Sequence, residues 1–207
     1  MAFNKLYLIK AASLLLSLLM LTQWVARPYA NAAESIANEG VPSYLLQGEM
    51  RTLQLTEPPR PAPNETPFKT ADGRDLTLES LEGRWLLVNL WATWCAPCRE
   101  EMPALDQLAE AYAGKVFEVV TIASGQHETE DIERFMDETG IRRLPAYQSP
   151  DSAIARDLGV LGLPTSVLID PAGREVARLT GSADWFSEEA QAVIDYLLTL
   201  NDSAPDS

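Results

Sequence analysis

The chain has 207 residues, of which 16 are Lys or Arg and 30 are Asp or Glu, for a formal charge of -14 at neutral pH. So acidic a surface repels phosphate backbones and anionic headgroups, which argues against nucleic acid and anionic lipid as partners. The length suits one compact domain with an extension.

Residues 1–32 read as an export segment. Lys5 and Lys10 supply positive charge, and an apolar stretch runs from Ala11 to Ala26, mildly interrupted by Ser13, Ser17, Thr22 and Gln23. Ala30-Asn31-Ala32 is a small-x-small cleavage pattern. Counting in Leu6 to Ile9 reaches the length of a membrane span, although Lys10 then lies inside it. The expectation is a signal peptide or an N-terminal membrane anchor, and in either case the remainder is exported. No cysteine precedes Cys95, so a lipid anchor on a processed cysteine is excluded.

Residues 33–65 contain Pro42, Pro58, Pro59, Pro61 and Pro63 without sustained periodicity, and are expected to form an extended Pro-rich linker, with at most a short strand or helix over 45–54. A globular domain is expected over 66–200. Asp72-Gly73 predicts a hairpin turn between short strands at 68–70 and 75–78. The run Trp85 to Trp91 is apolar but for Asn89 and predicts a fully buried central strand. From Cys95 a helix is expected, with Pro97 suited to its first turn. Met102, Leu105, Leu108, Ala109 and Tyr112 give it an apolar face, and Gly114 ends it. A strand over 117–123, a polar helix over 129–138, a short strand over 145–148 and a helical turn over 152–158 follow. Strands over 165–169 and 175–179 flank the turn Asp170-Pro171-Ala172-Gly173, and a last helix starts at Ser187 with Val193, Tyr196, Leu197 and Leu200 buried. Residues 201–207 are expected to be a disordered tail. The order predicts an α/β domain with mixed sheet direction.

The chemistry concentrates in Trp94-Cys95-Ala96-Pro97-Cys98, which holds the only two cysteines of the chain. Two thiols at this spacing on the first turn of a helix close and reopen a disulfide with little backbone movement. An exported protein keeps disulfides, so a structural staple is the competing role. A staple closing so short a loop removes little chain entropy, which favours exchange. Cys95, at the helix start, gains thiolate stability from unpaired N–H groups and the dipole, and is expected to be the exposed nucleophile; Cys98, one turn in, is the shielded resolving thiol. Ala96 and Pro97 constrain the ring.

Val88 to Pro103, together with Gly162-Leu163-Pro164-Thr165, Val167 to Asp170 and Gly173, strongly resembles the TlpA-like branch of the thioredoxin superfamily. The resemblance spans residues 66–200. It implies a thioredoxin-like fold with an N-terminal hairpin extension and a central inserted helix. The closest likeness is to membrane-tethered periplasmic reductants that keep cysteines reduced for cytochrome c or cytochrome oxidase copper-site assembly. Carried over, Cys95 and Cys98 are the redox pair, Pro164 is a cis-proline lying against the disulfide, and Glu101 is an acid that tunes the thiols. Glu101 lies three residues after Cys98, so the two share a helix face. Where ordinary thioredoxins bury an Asp this chain has Asn89, which cannot take the proton of Cys98 and leaves Glu101 as the better proton partner. Trp91 and Trp94 are expected to pack beneath and beside the site, with Trp94 also placed to touch a client. No cofactor and no metal are implied. The expected partners are protein clients with disulfides or thiols and an upstream membrane thiol donor, and the protein is expected to be a monomer.

A rival reading is a copper(I)-binding metallochaperone of the same superfold. The two thiolates of Cys95 and Cys98 suit copper(I), although such chaperones space their cysteines one residue wider and add a later His, whereas His127 is read as a loop residue after the second strand. A zinc site wants four N or S ligands and finds three. A thiol peroxidase requires Thr three residues before its nucleophile, and residue 92 is Ala.

Overall fold

The structure, a computed structural model, describes residues 41–202; residues 1–40, with the expected export segment and the start of the expected linker, and residues 203–207 lie outside the described residues. Eight strands form one mixed sheet: β1 (Gln54–Pro61), β2 (Phe68–Lys69), β3 (Asp75–Leu76), β4 (Trp85–Trp91), β5 (Phe117–Ser124), β6 (Tyr147–Ser149), β7 (Thr165–Ile169) and β8 (Arg174–Thr180). Their spatial order is β1-β8-β7-β4-β5-β6-β2-β3. The helices are α1 (Ala96–Ala111), α2 (Thr129–Thr139), α3 (Ala153–Asp157) and α4 (Glu188–Asp202), with 3-10 turns at Gly48–Thr52 and Leu78–Leu81.

β4 lies at the centre, parallel to β5 and antiparallel to β7, and all seven of its residues are buried. This is why its sequence is a continuous apolar run rather than an alternation. The pleat divides it between two cores. Trp85, Leu87 and Trp91 face a layer that includes Met102, Leu105 and Leu108 of α1 and Val193 and Leu197 of α4. Leu86, Val88 and Leu90 face Phe68, Leu78 and the α3 residues Ile154 and Ala155. Alternation puts Asn89 on the first of these faces, toward α1. That one register decision assembles the polar half of the site.

The last helix begins one residue after Ser187, whose hydroxyl accepts the Ala190 N–H at 3.2 Å as a cap. Its buried stripe is Ala190, Val193, Ile194, Leu197 and Leu200, with Tyr196 only half-buried. The helix runs on to Asp202, into the span expected to be a tail.

The linker expectation needs correction from residue 41 onward. Met50 is fully buried, Leu53 nearly so, and residues 54–61 form the edge strand β1 against β8. Prolines 58, 59 and 61 argued against a strand, but an edge strand has one side free of ladder bonds and tolerates them. The register shift between Leu55 and Arg60 is where the ladder accommodates them. A buried carboxylate fastens the strand. Glu175 of β8 is bound by Arg60 Nε and Nη2 and by Arg178 Nε and Nη2, at 2.7–3.2 Å, and also accepts the Thr56 hydroxyl. The hairpin at 68–76 is present but short, and β2 pairs with β6 at the opposite edge.

Candidate active site

The site is built where the C-terminal end of β4 runs into α1. Cys95 is the N-cap of α1 and Pro97 sits in the first turn. The Cys98 N–H points at Cys95 Sγ at 3.3 Å, so a sulfur here occupies the position that a capping oxygen takes in other helices. Cys95 and Cys98 are joined as a disulfide with Cα atoms 5.3 Å apart. Cys95 keeps 6% of its surface and Cys98 none. The asymmetry runs in the expected direction, although Cys95 is far less exposed than its position suggested.

The Leu163–Pro164 peptide is cis and Pro164 is buried. Thr165 pairs with Leu90, so the register sets Pro164 opposite the end of β4, from which the Ala92–Trp94 loop leads to the cysteines. Trp91 is buried and stacks at a tilt on Phe135 of α2, with centroids 5.3 Å apart. Trp94 lies beside the site but is not packed down, which leaves it free to meet a client. It stands 73% exposed, and Leu161, ahead of Pro164, is wholly exposed. An open groove of about 390 Å³ runs past Thr93, Trp94, Ala96, Arg99 and Phe135, beside the first turn of α1. The inserted helix α2 forms its far wall, and Arg99 covers the Phe135 ring at 4.8 Å.

Glu101 is buried. Its Oε1 accepts the Asn89 side-chain amide at 2.7 Å, and its Oε2 accepts the Ala183 backbone N–H at 3.1 Å. The same Asn89 amide donates to Ser166 Oγ of β7 at 2.9 Å. Burial pushes the Glu101 carboxyl up to about 7, against the pull of the Asn89 and Ala183 hydrogen bonds, which favour its ionised form. A carboxyl placed there changes charge within the physiological range, one helical turn from Cys98. Asn89 is therefore more than the loss of an acid. It holds the Glu101 carboxyl in place, a contact its sequence position did not reveal, although a lone amide in a buried apolar strand is a signal of one. Asn89 Oδ1 is buried without a protein partner.

His127 is held by its neighbours. Its Nε2 donates to the Ser124 carbonyl at 3.1 Å, so in the neutral ring Nδ1 is left to accept the Thr93 hydroxyl at 3.0 Å. Both ring nitrogens are occupied in bracing the Ala92–Trp94 loop. Among the described residues no three His, Cys, Asp or Glu side chains form a cluster able to hold a metal ion. His127, counted as a third possible zinc ligand, is thus engaged in the loop where it was expected.

A model of the AhpC/TSA family matches residues 59–176. The thiol-disulfide oxidoreductase ResA of Bacillus thuringiensis (strain Al Hakam) is 30% identical over 139 residues, covering 66% of this chain and 78% of the relative. The thioredoxin-like protein YneN of Bacillus subtilis is 34% identical over 107 residues, covering 51% of this chain and 62% of the relative. Among solved structures, a thiol:disulfide interchange protein DsbE of Chlorobium tepidum superposes with a TM-score of 0.59 at 27% identity, covering 68% of this chain and 96% of that one. The fold, the joined cysteine pair at a helix N-terminus and these likenesses agree: the chain belongs to the AhpC/TSA family of the thioredoxin superfamily and is a thiol-disulfide oxidoreductase of the ResA and DsbE type.

Proposed function

We propose that the protein is an exported reductant of client disulfides, periplasmic and either free or tethered through its N-terminal segment, serving cytochrome c or cytochrome oxidase copper-site assembly. A membrane thiol donor upstream would re-reduce it. The observation that carries the reading is the polarised pair: a capping Cys95 sulfur facing a helix N-terminus, with a buried carboxyl, Glu101, one turn beyond Cys98. No helix among the described residues is long and apolar enough to cross a membrane, so a tether would have to come from the segment outside them.

In the reduced protein the Cys95 thiolate, favoured by the Cys98 N–H and the helix dipole, attacks one sulfur of a client disulfide. The Cys95–client bond forms as the client's S–S bond breaks and its first sulfur leaves as a thiolate. Cys98, having given its proton to ionised Glu101, attacks Cys95 Sγ, and the client's second sulfur leaves. Two electrons pass from the pair to the client, which takes up two protons, one from solvent and one by way of Glu101, and the protein is left with the Cys95–Cys98 bond seen in the structure. Trp94 and the groove beside it supply apolar surface to the client segment, and Pro164 bounds the opposite side.

Trapping tests the assignment. Cys98→Ser should accumulate a mixed disulfide with a client peptide, while Cys95→Ser should not. Alkylation of the reduced protein at limiting reagent that labels Cys98 ahead of Cys95 would reverse the two roles.

A further inference from the structure

The segment ahead of β1 does more than cover the core. Gly48, with φ of +53°, and the buried Met50 fix the turn between them, and a Cβ at Gly48 would stand 3.3 Å from the Glu189 carboxyl of α4. Between these anchors Glu49 reaches the loop that follows β8 and accepts the Asp184 N–H with its Oε2. The next amide back along the loop, Ala183 N–H, is the one that binds Glu101 Oε2. Consecutive amides of one loop thus take two carboxylates, one from the solvent side and one from the buried side. Neighbouring residues lie about 3.8 Å apart along the chain, which holds the two carboxyls within about a nanometre. Both line one open groove of about 400 Å³, and none of its lining residues is basic.

We propose that Glu49 is a positioning residue that acts through Glu101, its charge holding the proton on that carboxyl until higher pH. This rests on the reading of Glu101 as proton partner of the cysteine pair. The groups that face Glu101 are few. Cys98 shares its helix, Asn89 and Ser166 meet it from β4 and β7 as neutral dipoles, and Glu49, Glu100 and Asp184 share the groove. Every full charge lining that groove is negative; the one cation of the turn that carries Glu49 is Arg51, whose Nε donates to the Gly48 carbonyl at 3.0 Å. Low-dielectric walls on the sheet side concentrate the field along the groove. Glu49 is singled out among these by geometry, because only it binds the amide next to the one that binds Glu101. Repulsion from Glu49 adds to burial in the same direction.

The consequence is a link between the N-terminal segment and the redox pair. Lifting the segment off the domain would remove Glu49, lower the proton affinity of Glu101, and change the pH at which Cys98 can deliver its proton. A segment packed on the domain ahead of β1 thereby sets the working range of the site without touching either sulfur.

Carboxyl ¹³C titration of the full chain in its oxidised form reads this directly, because disulfide sulfurs do not titrate. The Glu101 resonance is identified by its loss in Glu101→Gln. Glu49→Gln keeps an acceptor for the Asp184 N–H and removes the charge, so the Glu101 midpoint should fall by several tenths of a pH unit at low salt. The difference should shrink in 1 M salt, where the Debye length is about 3 Å. Glu49→Asp keeps the charge and should keep most of the midpoint. An unchanged midpoint in a folded Glu49→Gln protein would overturn the proposal whatever Glu101 does in exchange. A shifted midpoint beside pH–rate profiles that are identical in wild type and Glu101→Gln would uphold the coupling and sink the proton-partner reading instead.

Discussion

Glu101 concentrates the consequences of the site in one side chain. Its carboxyl is raised from an ordinary 4.5 to about 7 in the folded protein, chiefly by burial. Between those values the native state binds more protons than the unfolded one, so stability falls as pH rises through the window and levels off above about 7. The shift corresponds to at most about 3 kcal/mol. Glu101→Gln removes this titration, so its melting temperature should decline less than that of wild type between pH 4.5 and 8; parallel curves would mean that the carboxyl is not perturbed. Asn89→Leu removes the amide that favours the ionised form. It should raise the Glu101 midpoint further and cost about 1–3 kcal/mol by leaving buried Glu101 and Ser166 short of a donor, as denaturant unfolding at pH 8 would show. In exchange, Glu101→Gln should lower the apparent pKa of the cysteine pair, since a nearby carboxylate opposes a second negative charge. Superimposable thiolate absorbance titrations would place the proton chemistry elsewhere.

At the scale of elements, the N-terminal segment and β1 are part of the domain. Met50→Ala should cost about 2–5 kcal/mol in denaturant unfolding, as truncation of a buried Met does; a linker residue would show no change. Glu175 holds β1 to β8. Burial alone would raise its carboxyl, but the guanidinium hydrogen bonds of Arg178 and Arg60 outweigh it and hold the group below its ordinary value. Its contribution is therefore present at neutral pH and lost on acidification below the unfolded value, opposite in sense to Glu101. Glu175→Ala leaves largely buried Arg178 unpaired and should cost about 3 kcal/mol or more, whereas Arg60→Ala, at an exposed position, should cost little globally but loosen β1. Hydrogen exchange confined to residues 54–61 would report the latter.

For the molecule as a whole, what could be read from sequence was what has a period or a motif. The apolar run of β4, the α1 stripe and the order of strands and helices carried the fold, and Cys95, Cys98, Glu101 and Pro164 lay in a recognisable pattern. What stayed hidden depends on contacts between distant segments. Three prolines masked β1 because edge pairing, which rescues them, is decided by β8. Glu49 offered no local signal, since only the 182–184 loop gives it a partner. His127 lies 34 residues from Thr93, the hydroxyl it braces. Trp94 was expected beside the site and within reach of a client, and it faces solvent beside the groove; how little of it packs was not legible locally.

The proposed role as a reductant draws on the same geometry. A buried carboxyl one helical turn from Cys98, itself on an acidic groove, disfavours a second thiolate, and so does not stabilise the reduced form in the way that makes a strong oxidant. Equilibration of the full chain with glutathione or dithiothreitol buffers measures the reduction potential of the Cys95–Cys98 pair. A value near that of thioredoxin, about -270 mV, is expected for a reductant, and a value near -120 mV, as in a strong oxidant, would contradict it.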